Sequence, residues 1–298
     1  MSHVLTLVAA EGETLSRSSV ELAEEVLLAI GASIGDAELL GPDAVEVMFE
    51  ASMPELVEGR IRRALDGRRI DVLAGPVAGR RKKLLLADMD STMITVECID
   101  ELADFAGVGD KVRDITERAM RGEIDFEGAL IERVGLLKGL SVDVLDEVFR
   151  TRITLSPGAR IAIMTMRMYD ARCALVSGGF TFFTERVAEQ CGFHFNRANV
   201  LKSKNGKLTG EVEMPILGKQ AKLDALHEHC RDMAISTDDA LCIGDGANDL
   251  AMIQASGLGI AYRAKPVTAE AARARIEYGG LKTLLYYQGY HRSQFCLD

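Results

Sequence analysis

The chain has six cysteines in 298 residues (Cys98, Cys173, Cys191, Cys230, Cys242 and Cys296), yet no CxxC pair and no regular spacing between them. A disulfide framework is therefore not expected. Several of these cysteines lie inside apolar runs, as Cys173 does before Ala174-Leu175-Val176, and read as free buried thiols. No apolar stretch reaches 18 residues, and the N-terminus has no basic segment followed by an apolar core. Neither a membrane partner nor a secretion signal is expected, and the chain reads as cytoplasmic. Positive charge is also in short supply: 35 Lys and Arg stand against 45 Asp and Glu, a formal charge of −10. A nucleic-acid partner needs a basic face that displaces phosphate counterions, so that class is set aside. Clustered carboxylates can still take an anionic substrate if a divalent cation lies between them. His227 and His229 are two apart and diverge on a helix, which makes a poor metal pair, so both are expected on the surface. There is no internal repeat or low-complexity tract.

What is present is the composition of a globular protein, 48% hydrophobic and 27% charged, long enough for more than one folding unit. Residues 1–80 read as strand Val4–Ala9, helix Ser16–Ile30, strands Ala37–Leu40 and Ala44–Phe49 around a Gly41-Pro42-Asp43 turn, helix Pro54–Leu65 and strand Ile70–Leu73. That βαββαβ order is ferredoxin-like. Gly75 to Lys83 follows as a linker, and residues 81–298 form the larger unit. In it, short helices at Ile99–Ala106, Asp110–Met120, Phe126–Leu137 and Val144–Phe149 separate two strands. Four helices are too many for a simple crossover, so a helical cap is expected to be inserted at about 98–155. Ser156-Pro157 reads as the N-cap and first turn of the next helix. Strand–helix alternation then resumes: strand Cys173–Val176, helix Thr181–Gln190, a hairpin at Asn205-Gly206, a helix through Lys222–His229, strand Ala240–Ile243, helix Ala247–Ala255 and strand Leu258–Ala261. The fold class is α/β, a doubly wound and mostly parallel sheet.

Three of these strands end in polar residues. Leu84-Leu85-Leu86-Ala87 runs into Asp88-Met89-Asp90, the one D-x-D of the chain. A second strand ends in Ser177-Gly178-Gly179, and a third in Gly244-Asp245-Gly246-Ala247-Asn248-Asp249. Gly218-Lys219 adds a lysine near the start of the helix before the third strand. Parallel strands bring their carboxyl ends to one rim, so these groups should converge. A calcium loop starting at Asp245 fails, because Ala247 and Ser256 stand where oxygen ligands are required. The set suits phosphoryl transfer instead. Asp88 and Asp245 can hold Mg²⁺, Ser177 and the Gly178 and Gly179 amides can hold phosphate oxygens, and Lys219 can offset the remaining charge.

With Asp88-Met-Asp-Ser-Thr92, Ser177-Gly-Gly-Phe180, Lys219 and Gly244-Asp-Gly-Ala-Asn-Asp249 in this order, residues 84–265 resemble the haloacid dehalogenase superfamily of aspartate-nucleophile phosphatases, most closely its phosphoserine-hydrolysing branch. The resemblance implies Mg²⁺-dependent hydrolysis of O-phospho-L-serine, the last step of serine biosynthesis, through an aspartyl-phosphate. Asp88 would be the nucleophile and Asp90 the general acid and base. Mg²⁺ would bind Asp88, the Asp90 backbone carbonyl and Asp245. Ser177, Gly178 and Lys219 would hold the phosphoryl group, with Asn248 and Asp249 in support. Glu97, nine residues after Asp88, would face the substrate ammonium, and Arg133 its carboxylate. Phe126 and Arg133 are seven apart and share a helix face, so they can close over a small amino acid with Met120 at its side. Residues 1–80 resemble an ACT-type regulatory domain, although Ala10-Glu11-Gly12-Glu13-Thr14 departs from the Asp-x-x-Gly-Leu-like turn of such domains. A structural or dimerising role there is as much expected as amino-acid binding. The alternatives are phosphotransfer to another hydroxyl such as homoserine, hydrolysis of another small phosphomonoester and, in a different class, amino-acid sensing by an inactive core.

Overall fold

The computed structural model describes residues 1–120 and 123–297. The N-terminal part comprises β1 (His3–Ala9), α1 (Arg17–Ala29), β2 (Ser33–Gly41), β3 (Ala44–Glu50), α2 (Val57–Ala64) and β4 (Ile70–Pro76). The four strands form an antiparallel sheet in the order β2-β3-β1-β4, the ferredoxin-like arrangement. Alternation along β1 explains why almost every residue in it is buried. Leu5 and Leu7 point into a core with Ala23 and Leu27 of α1 and Ile61 of α2. Val8 points the other way, into the larger core of the second unit. The sheet is thus covered on both faces.

The second unit begins with β5 (Leu84–Ala87), followed by α3 (Cys98–Phe105), α4 (Gly109–Met120), α5 (Phe126–Gly135), α6 (Asp143–Thr151) and α7 (Ala159–Met168). Then come β6 (Arg172–Phe180), α8 (Thr181–Cys191), β7 (Phe195–Asn199), β8 (Leu201–Lys204), β9 (Lys207–Val212), α9 (Lys219–Asp232), β10 (Ala240–Gly244), α10 (Leu250–Ala255), β11 (Leu258–Tyr262), α11 (Pro266–Ala271), β12 (Ala274–Ile276) and α12 (Thr283–Tyr287). Six of these strands make a parallel sheet in the order β12-β11-β10-β5-β6-β7. All of Leu84–Ala87 is buried, as the continuous apolar run requires. Because β5 lies between β10 and β6, the three polar strand ends are neighbours at the carboxyl rim, where open α/β sheets bind ligands.

Three expected helix starts are displaced, the first that of α2, which begins at Val57 because Pro54–Leu56 form a 3₁₀ turn. Helix α7 begins at Ala159 rather than at Ser156-Pro157, because Gly158 takes a left-handed conformation (φ 77°) as its N-cap. Helix α10 begins at Leu250 rather than Ala247, because residues 245–249 form a loop closed by the Gly246 N–H donating to Asp249 Oδ2 at 3.0 Å. Asn205 and Gly206 both have positive φ (52° and 75°), as a type I′ hairpin turn demands. The five cysteines up to Cys242 are buried and free. No helix among the described residues is long and apolar enough to cross a membrane.

Residues 75–83 do not act as a loose linker. Arg80 pairs with the buried Glu46, and the Arg81 guanidinium lies 4.2 Å from the Tyr290 ring centroid. The two units are joined most firmly at Asp71, a fully buried carboxylate of β4 that accepts from the backbone N–H of Glu277 (2.7 Å), Tyr278 (3.3 Å) and Gly279 (2.7 Å). Tyr286 also donates to Asp43 at 2.6 Å. Asp71→Ala leaves three amides without this acceptor, that of Gly279 in the interior, and should lower stability by about 2–4 kcal/mol. Urea unfolding measures this, and a midpoint equal to that of the native chain would show that the junction contributes nothing.

Candidate active site

The site grows from the end of β5. The Asp88 N–H donates to Ile243 O at 3.0 Å, which fixes the turn after β5 to β10. Asp88 is 4% exposed; its Oδ1 accepts from the Met89 N–H at 2.7 Å and its Oδ2 lies 2.7 Å from Lys222 Nζ. Lys222 also reaches Asp249 Oδ1 at 2.6 Å, so one buried ammonium bridges two buried carboxylates. Burial and the charges of Asp249 and Asp245 push the Asp88 carboxyl up, while Lys222 pulls it down. Burial works against the Lys222 charge, but Asp88 and Asp249 outweigh it and keep the ammonium protonated.

The lysine of the site is therefore Lys222 and not Lys219. Lys219 is the first residue of α9 and is exposed. The buried face of α9 is Lys222, Ala225, Leu226 and His229, spaced i, i+3, i+4, i+7. The same periodicity corrects His229, which is 8% exposed rather than a surface residue; its neighbour His227 is exposed.

Carboxylate oxygens of Asp88, Asp245 and Asp249 lie within 4.8 Å of one another. Three acids with one lysine leave an excess of negative charge, and burial followed by the Asp249 charge raises Asp245 to a pKa of about 7. Both Asp249 oxygens are engaged, by Lys222 and by the Gly246 N–H. Asp245 takes no hydrogen bond on its carboxylate among the described residues. That pattern fits a hard divalent cation on Asp245 and Asp88, with Asp249 positioning Lys222. Asn248 lies in the same loop, its Oδ1 against Gly246.

Asp90 faces the second strand end. Its Oδ1 accepts from the Cys98 N–H at 3.1 Å, and its Oδ2 would lie 2.5 Å from a β-carbon placed on Gly179. Glycine at 179 is what lets the carboxyl approach the β6 turn. Burial first, then the neighbouring Glu97 charge, raises Asp90 to a pKa of about 7. Such a group can be protonated or ionised at neutral pH, as general acid–base work requires. Ser177 is 1% exposed and its Oγ accepts from the Gly179 N–H at 2.8 Å.

Helices α3 and α5 lie against this rim. The Phe126 ring lies on the Ser177–Gly179 turn: a β-carbon on Gly178 would meet its Cζ at 3.0 Å, and one on Gly218 its Cδ1 at 3.4 Å. Glu97 Oε1 accepts from Ser91 Oγ at 2.7 Å, and Ser91 has φ 54° in the turn after Asp90. Arg133, one face along α5 from Phe126, donates from Nε to Ala129 O at 3.2 Å. Burial pushes its pKa down, while Asp100, Glu97 and Asp90 act in the other direction, so the guanidinium sits in the field of the site's acids. Met120 ends α4, and its side chain lies outside the described residues. Two residues that the sequence reading missed, Lys222 and Asn199, are buried here. The signal for Lys222 is its helical phase with Ala225, Leu226 and His229; Asn199 at the end of β7 has none.

Residues 85–254 match the family model of haloacid dehalogenase-like hydrolases. The phosphoserine phosphatase of Polaromonas sp. (strain JS666) is 48% identical over 208 residues, covering 68% of this chain and 88% of that one. The crystal structure of a probable phosphoserine phosphatase from Vibrio cholerae superposes with a TM-score of 0.79 at 30% identity, over 98% of this chain and 88% of that one. A phosphoserine phosphatase structure with an analogue of a phospho-aspartyl intermediate matches with a TM-score of 0.65 at 40% identity, over 70% of this chain and 99% of that one. The chain belongs to the haloacid dehalogenase-like hydrolases, and within them to the phosphoserine phosphatase family.

Proposed function

We infer that the protein hydrolyses O-phospho-L-serine to serine and phosphate, with Asp88 as nucleophile and Mg²⁺ as cofactor. The observation that carries this reading is the buried Asp88–Lys222–Asp249 bridge at the end of the central strand, with the Asp90 carboxyl, pushed up to about 7 by burial, two residues on. Asp88 attacks phosphorus as the serine oxygen leaves, and Asp90, protonated, supplies the proton to that oxygen. Asp90 then takes a proton from the water that cleaves the aspartyl-phosphate. Lys222 and the Ser177–Gly179 turn balance the phosphoryl oxygens. Asp88 and Asp245 are the residues that would hold the cation, and it would neutralise phosphate charge when bound.

Substrate choice follows from the cap. Glu97 is exposed apart from its Ser91 bond, and Arg133 is half-buried in the field of the acids, an acid and a base set to receive the ammonium and carboxylate of an amino acid. Phosphate release from phosphoserine should require Mg²⁺, stop with chelator and return when Mg²⁺ is restored. Glu97→Gln and Arg133→Ala should each raise KM for phosphoserine by about 10- to 100-fold, while phosphoglycolate, lacking the ammonium, is little affected by Glu97→Gln. Equal turnover of phosphoserine and phosphoglycolate by the native protein would point to a broader phosphomonoesterase. Phosphohomoserine accumulating in place of phosphate would point to a transferase.

A further inference from the structure

We propose that Asn199 is a positioning residue that locks the phosphate turn to the segment beneath the cap. The proposal rests on the reading that phosphate binds at Ser177–Gly179. Strands β6 and β7 pair in regular register from Ala174 with Phe195 to Val176 with Arg197; the register then slips, and Phe180 pairs with Asn199. The slip takes Ser177, Gly178 and Gly179 out of the regular ladder, so part of their backbone needs another partner. Asn199 supplies it from a site only 2% exposed. Its Nδ2 donates to Gly178 O at 2.8 Å and to Leu217 O at 3.3 Å, and its Oδ1 accepts from the Leu217 N–H at 2.7 Å.

One side chain thereby joins three parts of the site. Gly178 belongs to the phosphate turn. Leu217 precedes Gly218, which caps α9 and forms, with Gly178, the seat of the Phe126 ring. Helix α9 in turn carries Lys222 to Asp88. The site needs a side chain with both a two-proton donor and an acceptor at this reach, and of the residues with that reach only asparagine has both. Ionised aspartate has the same shape but would present a second oxygen to two carbonyls. Alanine would remove the partner of two part-buried carbonyls and one part-buried N–H.

The test compares Asn199→Asp and Asn199→Ala with the native chain and with Ser177→Ala. It reads kcat and KM for phosphoserine and the inhibition constant of inorganic phosphate, each referred to the folded fraction measured by circular dichroism. Both Asn199 variants should raise KM and the phosphate inhibition constant together by about 10- to 100-fold, the effect of a displaced binding turn. Asn199→Asp, being isosteric, carries the test if Asn199→Ala does not fold. Unchanged constants in folded protein, or a loss that only follows the unfolded fraction, would overturn the role of Asn199. If Ser177→Ala is equally harmless, the failure lies instead in placing phosphate at that turn.

Discussion

Asp88→Asn should lower phosphate release by about 10⁴-fold or more while the protein stays folded. The change is isosteric, and it removes one negative charge from a group of three carboxylates, of which Asp88 and Asp249 pair with Lys222. The folded state is therefore relieved of repulsion as it loses the attacking oxygen. Circular dichroism and urea unfolding should show a native-like protein, and calorimetry should show phosphoserine still binding. A folded variant that kept more than about one-hundredth of native kcat would mean that Asp88 is not the nucleophile.

The second large effect separates two lysines on one helix. Lys222→Ala removes the one cation that, among the described residues, bridges Asp88 and Asp249, leaving two carboxylates in a site where both are almost wholly buried. Breaking such a buried pair costs about 3–5 kcal/mol. Activity should fall by about 10³-fold or more in whatever fraction folds, since the charge facing the phosphoryl oxygens is gone. Lys222→Met, which keeps the volume, allows the activity loss to be read if the alanine variant unfolds. Lys219→Ala, on the exposed start of the same helix, should leave stability within about 0.5 kcal/mol of native and turnover nearly unchanged. Equal losses at both positions would contradict the geometry.

The contrast between Lys222 and Lys219 marks where one-dimensional reading stopped. The rim was legible because a buried parallel strand reads as an unbroken apolar run, and Leu84–Ala87 ended in the D-x-D that the fold then faced with Ser177 and Asp245. The hairpin at Asn205-Gly206 was legible because few dipeptides take two positive φ angles. Lys219 differs from the site lysine because adjacency to Gly218 does not set helical phase, and the phase of α9 turns Lys222 inward. Extending the buried face of α9 from Ala225, Leu226 and His229 one turn back reaches Lys222, and the same phase would have placed His229 inside. Asn199 was out of reach for a different reason. Its three hydrogen bonds go to residues distant in sequence, through a register slip that no local pattern announces. Helix α10 started late because the Asp249 carboxylate closes the loop before it, again through a contact that exists only once the chain is folded.

Rapid acid quenching during turnover of ³²P-labelled phosphoserine, followed by peptide mapping, tests the central assignment most directly. Label should appear on the peptide containing Asp88, resist acid, leave with hydroxylamine, and be absent from Asp88→Asn. Turnover with no trapped label on that peptide, or label on a serine such as Ser91 or Ser177, would contradict it.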